Sequence, residues 1–111
     1  MDKRRIKSEK VFEPAPGVFS NAIRFGNLVF TTAKSGTDSH GKLARGIVAQ
    51  ARQSLENIKE LLDSAGTDME HVLKTTVYLT STKNLEKMNR VYSSYFRVPP
   101  ARAIVVTNGW G

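Results

Sequence analysis

Apolar residues between positions 48 and 65 recur at alternating spacings of three and four, which places them along one stripe of an α-helix. The polar residues between them, including Gln50, Gln53, Asn57 and Glu60, fall on other faces. Gly66 follows directly and can adopt the left-handed conformation that ends a helix. The pattern therefore predicts an amphipathic first helix, with a buried stripe of Val48, Ala51, Leu55, Ile58, Leu62 and Ala65.

Shorter extended patterns precede this helix. Residues 20–24 and 28–32 flank Phe25-Gly26-Asn27, an arrangement typical of a β-hairpin. Residues 5–7 and 10–13 place apolar side chains between charged ones, so part of this stretch is predicted to be an edge strand. Residues 35–46 hold three glycines and are predicted to form a surface loop, which leads from the hairpin to the helix.

The second half of the chain predicts a strand, a helix and a strand. Apolar residues alternate with lysine and threonine over 72–79, and the run 103–106 is rich in β-branched residues. Between them, residues from about 84 to 96 predict a second helix, because one of its faces is apolar. The residues on that face are Leu85, Met88, Tyr92, Tyr95 and Phe96.

This order of elements leaves one face of the expected sheet without a cover. Right-handed crossovers place both helices on the same face. Yet residues 28–30 and 103–106 are continuous apolar runs, which is typical of strands that are buried on both faces. No third helix is predicted, so we expect a homo-oligomer in which the sheets of different copies pack against one another.

The composition indicates an ordinary globular protein. A length of 111 residues predicts a single domain over 1–111, in which residues 1–16 form a basic, proline-containing N-terminal segment. No apolar run approaches the roughly 20 residues of a membrane span. The chain has no cysteine, which excludes disulfides, thiolate metal sites and a cysteine nucleophile. We therefore expect a cytoplasmic protein with no membrane partner.

The net charge of +7 gives little information about partners. The first ten residues hold five Lys or Arg and two Asp or Glu, and so contribute +3 of it. No aromatic or glycine motif of a nucleic-acid binder accompanies these charges. We expect a solvated basic tail, and a nucleic-acid partner is the less favoured interpretation.

Arg102 is the strongest candidate for a functional residue. Val98 and Pro99 each precede a proline, and both are therefore restricted to extended conformations. The rigid segment leads into the predicted strand at 103–106, which would hold the arginine at the start of the strand. A guanidinium group binds a carboxylate through two parallel hydrogen bonds. The sequence thus predicts a site for a small anion at Arg102.

Five segments in register, from about residue 17 to residue 106, resemble the RidA/YjgF family of enamine and imine deaminases. Each segment alone is weakly specific, but their order makes the resemblance specific for the family. The segments are Gly17-Val18-Phe19-Ser20-Asn21-Ala22-Ile23, the helix residues 49–59, the strand residues 72–79, the helix residues 88–96 and Pro100-Ala101-Arg102.

The resemblance implies an α+β, chorismate-mutase-like fold with a mixed β-sheet and two helices on one face. It also implies a homotrimer whose three sheets line a central barrel, with ligand clefts between the subunits. That assembly agrees with the uncovered sheet face, which was inferred from the hydrophobic pattern alone.

The resemblance further implies a reaction without metal or organic cofactor. Arg102 would be the catalytic residue that anchors the carboxylate of a 2-imino acid, and water would attack the C=N carbon to give a 2-keto acid and ammonia. The substrate-binding residues implied beside Arg102 are Phe19, Thr32, Ala33 and Lys34, together with the backbone of Ile104.

Three departures from the family pattern keep other functions open. Phe19 stands where a tyrosine is usual, and Ala33 stands where a glycine is usual. In the family pattern, a closing strand that carries a water-positioning glutamate comes after the segment that ends here at Gly111. We expect the given sequence to lack that strand. The alternatives are a trimer that binds small carboxylates without catalysis and, less favoured, an endoribonuclease-type member that acts on RNA.

Overall fold

The computed structural model describes residues 2–108, and within them the elements follow the predicted order. Three strands come first, and an 18-residue helix, a strand, a 9-residue helix and a last strand follow them. The elements are β1 (Arg4–Ile6), β2 (Ala22–Phe25), β3 (Leu28–Thr31), α1 (Ile47–Ser64), β4 (Lys74–Leu79), α2 (Leu85–Ser93) and β5 (Ala101–Val106).

Backbone pairing divides the strands into two sheets. Strands β1, β2 and β3 form an antiparallel sheet in that order, and the turn at Gly26 and Asn27 closes the predicted hairpin. Strands β4 and β5 form a parallel pair in which Thr75 lies opposite Arg102 and Val77 lies opposite Ile104. The α+β class is confirmed, although the described strands form two hydrogen-bonded sheets where the pattern predicts one.

The two sheets are held together by side chains that pack under the helices. Leu62 of α1 and Val91 and Tyr92 of α2 belong to one buried cluster. Val29 from β3 and Ile104 from β5 both pack against that cluster. A shared hydrophobic core therefore joins the two sheets, which no backbone ladder connects within residues 2–108. It also buries the face of each sheet that carries the helices.

Helix α1 confirms the predicted helix with two differences. Gly66 follows it in the left-handed region, at φ +84°, as predicted. Val48, predicted to be buried, is 43% exposed. Asn57, predicted to lie outside the apolar stripe, is only 1% exposed, because the loop after β3 covers it.

The faces of the sheets that point away from the helices carry large apolar side chains that are exposed. Side chains alternate between the two faces of a strand, and here one face meets the helices while the other meets none. Within residues 2–108, the exposed set includes Phe25, Leu28, Phe30, Tyr78 and Val105, with exposures of 39–65%. This is the uncovered face expected from the sequence.

The basic N-terminal segment is more ordered than expected. Arg4–Ile6 pairs with β2 as an edge strand, and Ile6 is 7% exposed because its side chain points into the core. Arg5 forms an ion pair with Glu13. Residues 10–13 form no strand, although Val11 is buried. The expectation of a freely solvated tail is therefore wrong for this segment.

None of the helices in residues 2–108 is both long and apolar enough to cross a bilayer. The prediction that a closing strand is missing after Gly111 lies outside the described residues and stays a prediction.

Candidate functional site

Arg102 lies in the second residue position of β5, and its side chain points toward the helices. The Ala101 amide donates to the Leu73 carbonyl at 3.1 Å, which starts the ladder directly after the two prolines. Arg102 faces the same side of the sheet as Thr75, its partner in the register. The strand is two residues longer at its start than predicted, so the arginine belongs to regular backbone.

The Arg102 guanidinium is held by α2 from two directions. Its Nη1 donates to Asn89 Oδ1 at 2.8 Å, and its Cζ lies 4.8 Å from the centre of the Tyr92 ring. The Tyr92 hydroxyl is in turn 2.7 Å from Thr75 Oγ1. An arginine has five N–H donors. Of these, one is committed to Asn89 in the described contacts, so an edge of the fork is available to a carboxylate.

The backbone of Ile104 is directed at the edge of β5 that faces away from β4. The amides of Ala101 and Thr107 both donate to β4, at 3.1 and 2.8 Å. Backbone groups alternate in direction along a parallel strand, so those of Arg102 and Ile104 point to the other edge. No strand among residues 2–108 pairs with that edge. Ile104 can therefore offer backbone hydrogen bonds to a ligand beside Arg102.

The remaining candidate residues belong to the antiparallel sheet. Phe19 precedes β2 and is 40% exposed. Thr32 follows β3 directly, and its amide donates to the Asn21 carbonyl at 2.8 Å. Ala33 is exposed and follows next. Their position fits the wall of a cleft. However, they lie beside the antiparallel sheet, whereas Arg102 lies on the parallel pair.

Lys34 is turned toward the N-terminal segment. Its Nζ donates to the Phe12 carbonyl at 3.1 Å and to Asn21 Oδ1 at 3.0 Å. Burial lowers the pKa of Lys34 below its usual value, and the nearby Glu13 carboxylate partly opposes that effect. The ammonium group therefore braces the segment before β2, and its two described acceptors both come from this chain.

Within this chain, the candidate residues thus form two groups. Arg102 and Ile104 lie on the parallel pair, whereas Phe19, Thr32, Ala33 and Lys34 lie at one end of the antiparallel sheet. Among residues 2–108, no hydrogen bond, ion pair or ring contact given by the structure links the first group to the second.

The residues that surround Arg102 were not predicted from the sequence. Asn89 was not singled out, Thr75 was treated only as a strand residue, and Tyr92 was assigned to the apolar face of its helix. The available signal was the spacing of Asn89 and Tyr92, because residues three apart lie on the same face of a helix. Their meeting with Arg102 depends on how α2 crosses β5, which no local pattern reveals.

A cavity of about 630 Å³ lies elsewhere, at the start of α1. Arg45, Arg52, Glu56 and Lys87 are among its lining residues, and none of the six candidate residues is. Within residues 2–108, no three His, Asp or Glu side chains are grouped so that they could hold a metal ion.

The chain is similar to known proteins in both sequence and structure. The family model described as endoribonuclease L-PSP matches residues 12–108. A RutC family protein of Pyrococcus abyssi is 40% identical over 108 residues, which cover 95% of this chain and 84% of the relative. The human 2-iminobutanoate/2-iminopropanoate deaminase is 37% identical over 103 residues, covering 90% of this chain and 75% of the relative.

Among solved structures, the crystal structure of a protein of unknown function of the conserved Rid family from Yersinia pestis superposes with a TM-score of 0.93. It is 30% identical, and the match covers 98% of this chain and 89% of that one.

Proposed function

We propose that this chain, which belongs to the RidA/YjgF family, is an imine deaminase. The model of that family is described as endoribonuclease L-PSP. Its substrates would be small 2-imino acids or their enamine tautomers, and its products 2-keto acids and ammonia. The observation that carries the proposal is that the Arg102 guanidinium is held by Asn89 and Tyr92 while some of its N–H donors stay available for a carboxylate. We also propose that the protein acts in the cytoplasm.

The first step is the binding of the substrate carboxylate to Arg102. The two parallel N–H···O bonds of an arginine–carboxylate pair fix both the position and the plane of the carboxylate. The imine carbon is bonded directly to the carboxylate carbon, so this anchor also fixes the reacting atom. The edge of β5 at Ile104 supplies backbone hydrogen bonds beside it.

The second step is hydrolysis of the C=N bond. A water oxygen bonds to the imine carbon, and the nitrogen takes up protons and leaves as ammonia. One imine and one water thereby give one 2-keto acid and one ammonia. The reaction neither oxidises nor reduces the substrate, so no redox cofactor is required. Orientation by Arg102 accounts for much of the expected acceleration, because an imine is already electrophilic.

We propose that the cleft is completed by a second copy of this chain in a homotrimer. The two groups of candidate residues lie on different sheets of one subunit, and the sheet face with Phe30 and Val105 is apolar and exposed. Packing these faces together would bury them. It would also allow Phe19, Thr32, Ala33 and Lys34 of one copy to close the cleft over Arg102 of the next.

The activity is tested by following the release of 2-keto acid from freshly generated 2-iminobutanoate and 2-iminopropanoate. We expect Arg102→Ala to reduce kcat/KM at least a hundredfold and Arg102→Lys to restore little, because lysine lacks the planar fork. Arg97→Ala is the matched control, since Arg97 is an exposed arginine paired only with Glu70 in the described contacts. A wild-type rate equal to that of Arg102→Ala would refute the proposal.

The assembly is tested by sedimentation velocity. We expect a trimer for the wild type and dissociation for Phe30→Glu, because Phe30 is 65% exposed on the apolar face. Val48→Glu is the control, since Val48 is also exposed but lies at the start of α1 on the helical side. A wild type that sediments as a monomer at micromolar concentration would contradict the proposal.

A carboxylate-binding trimer without catalysis is the second candidate function. Phe19 has no hydroxyl to hold a water or pass a proton, and the Lys34 ammonium is engaged by Phe12 and Asn21. This alternative predicts that 2-ketobutanoate raises the Tm of the wild type, that Arg102→Ala abolishes the shift, and that imines are hydrolysed no faster than in buffer.

A further inference from the structure

Tyr92 is a buried tyrosine whose ring contacts two other side chains. It is 6% exposed, and its ring centre lies 4.9 Å from that of Phe96, with the planes tilted by 47°. The Arg102 guanidinium carbon lies 4.8 Å from the same ring centre. The ring is therefore part of the core and also a support for the cation.

The hydroxyl of Tyr92 is fixed by the strand next to Arg102. Thr75 Oγ1 lies 2.7 Å from it, and Thr75 is the residue directly opposite Arg102 in the β4–β5 register. Thr75, Tyr92 and Arg102 thus form a closed set of contacts between one strand pair and one helix. In this arrangement a shift of the Tyr92 ring requires either breaking the hydroxyl bond or moving β4.

We propose that Thr75 and Tyr92 are positioning residues that set the direction of the Arg102 guanidinium. The choice of a carboxylate as its ligand rests on the proposed function, whereas the positioning itself rests on the contacts above. Asn89 holds one nitrogen of the fork, and the guanidinium carbon lies over the Tyr92 ring. Together they leave the opposite edge of the fork in one orientation.

The physical reason is that bidentate binding depends on geometry as well as on charge. A guanidinium that can rotate keeps its charge but must lose rotational freedom when a carboxylate binds. A cation–π contact in a partly desolvated site restrains the plane of the group. The hydroxyl bond to Thr75 prevents the ring from tilting, so it contributes to ligand affinity without touching the ligand.

Three variants separate this role from simple core packing. Tyr92→Phe and Thr75→Val each remove the hydroxyl bond and keep the shape of the side chain, and the double variant removes both partners. Tyr95→Phe is the matched control, because it removes another tyrosine hydroxyl bond of the same segment, the 2.6 Å bond to Glu56. Every variant is measured as full-length protein, at a temperature well below its own Tm.

Two readouts are combined. The first is the NMR signal of the Arg102 Nε–Hε group, identified by its loss in Arg102→Ala, with its relaxation as a measure of side-chain order. The second is the Kd for 2-ketobutanoate as a carboxylate probe. One lost hydrogen bond predicts a Kd about threefold to tenfold higher in Tyr92→Phe and Thr75→Val. The double variant should have a Kd no higher than that of the single variant that binds the probe more weakly, because all three variants lose the same hydrogen bond.

The expected result is lower order of Arg102 and weaker binding in both single variants, with Tyr95→Phe like the wild type. An Arg102 signal and a Kd unchanged in Tyr92→Phe and Thr75→Val would overturn the inference, as would equal changes in Tyr95→Phe. If Arg102 loses order but no protein binds 2-ketobutanoate, the positioning role stands and the proposed function fails. If the wild type binds the probe and neither single variant alters the order of Arg102, the proposed carboxylate site at Arg102 stands and the positioning role fails.

Discussion

Asn57 offers the sharpest test of how α1 fixes the segment that follows the candidate residue Lys34. Its side chain is almost fully buried, at 1% exposure. Its Nδ2 donates to the carbonyls of Ser35 and Thr37, at 3.2 and 2.9 Å, and its Oδ1 accepts from Gln53 Nε2 at 3.0 Å. Replacement by leucine keeps the branching and the number of heavy atoms of the side chain but removes both donors and the acceptor.

The magnitude follows from the carbonyls that lose their donor. An unsatisfied buried polar group costs about 1–3 kcal/mol, and the Ser35 carbonyl belongs to an exposed residue that water can reach. We therefore expect Asn57→Leu to lower the free energy of unfolding by about 2 kcal/mol. With an unfolding entropy of about 2.1 cal/mol/K per residue, this lowers the Tm of a 111-residue chain by about 9 °C.

The assay is thermal and urea unfolding at one fixed protein concentration, because any oligomer makes the Tm depend on concentration. Amide hydrogen exchange at residues 35–38 should become faster in Asn57→Leu, since this segment loses its attachment to α1. Gln53→Leu is the control. It removes one bond to Asn57 but leaves both of its donors in place, so its Tm should fall by less than about 4 °C. A Tm for Asn57→Leu within about 2 °C of the wild type would refute the reasoning.

Three further predictions concern other positions. Gly36→Ala should lower the free energy of unfolding by about 1–3 kcal/mol in urea, because the added Cβ would lie 2.6 Å from the Gln50 Cα; an unchanged midpoint would show that the loop can move away. Gly66→Ala should cost about 1 kcal/mol in the same assay, since Gly66 has a φ of +84°, and equal stability would contradict that strain. Burial, together with the hydrogen bond to Glu56, raises the pKa of Tyr95 to about 12, so its stabilising contribution is complete below pH 10 and is lost as the pH rises toward 12. Unfolding measured across that range should show a smaller loss of stability in Tyr95→Phe than in the wild type, and identical losses would disprove the assignment.

The elements could be predicted because their signals are local. The three-and-four spacing from Ala51 to Ala65 follows from helix geometry, and Gly66 ends the helix by its own conformational freedom. The hairpin around Gly26 and Asn27 and the strand that starts at Ala101 depend in the same way on neighbouring residues. The start of α1 was predicted less well, since the burial of Val48 depends on what lies beside the helix and not on the helix itself.

The candidate site could be predicted only in part. Arg102 was found because the prolines before it and the strand after it are visible in the sequence. Asn89 was missed because a polar residue on a helix is usually solvated, and only its contact with Arg102 gives it a role. Asn57 was missed for the same reason, since its burial depends on a loop that begins twenty-two residues earlier in the chain.

The sequence by itself determined the helices, the hairpin, the order of the elements, the arginine at the start of the last described strand and the family. These depend on spacing, turn chemistry and motif, which act over a few residues. The tertiary structure alone decided that the strands pair as two sheets. It also decided that Arg102 is held by Asn89 and Tyr92 and braced through Thr75. These contacts join residues that are 10 to 17 positions apart, so they follow from the packing of whole elements rather than from any local pattern.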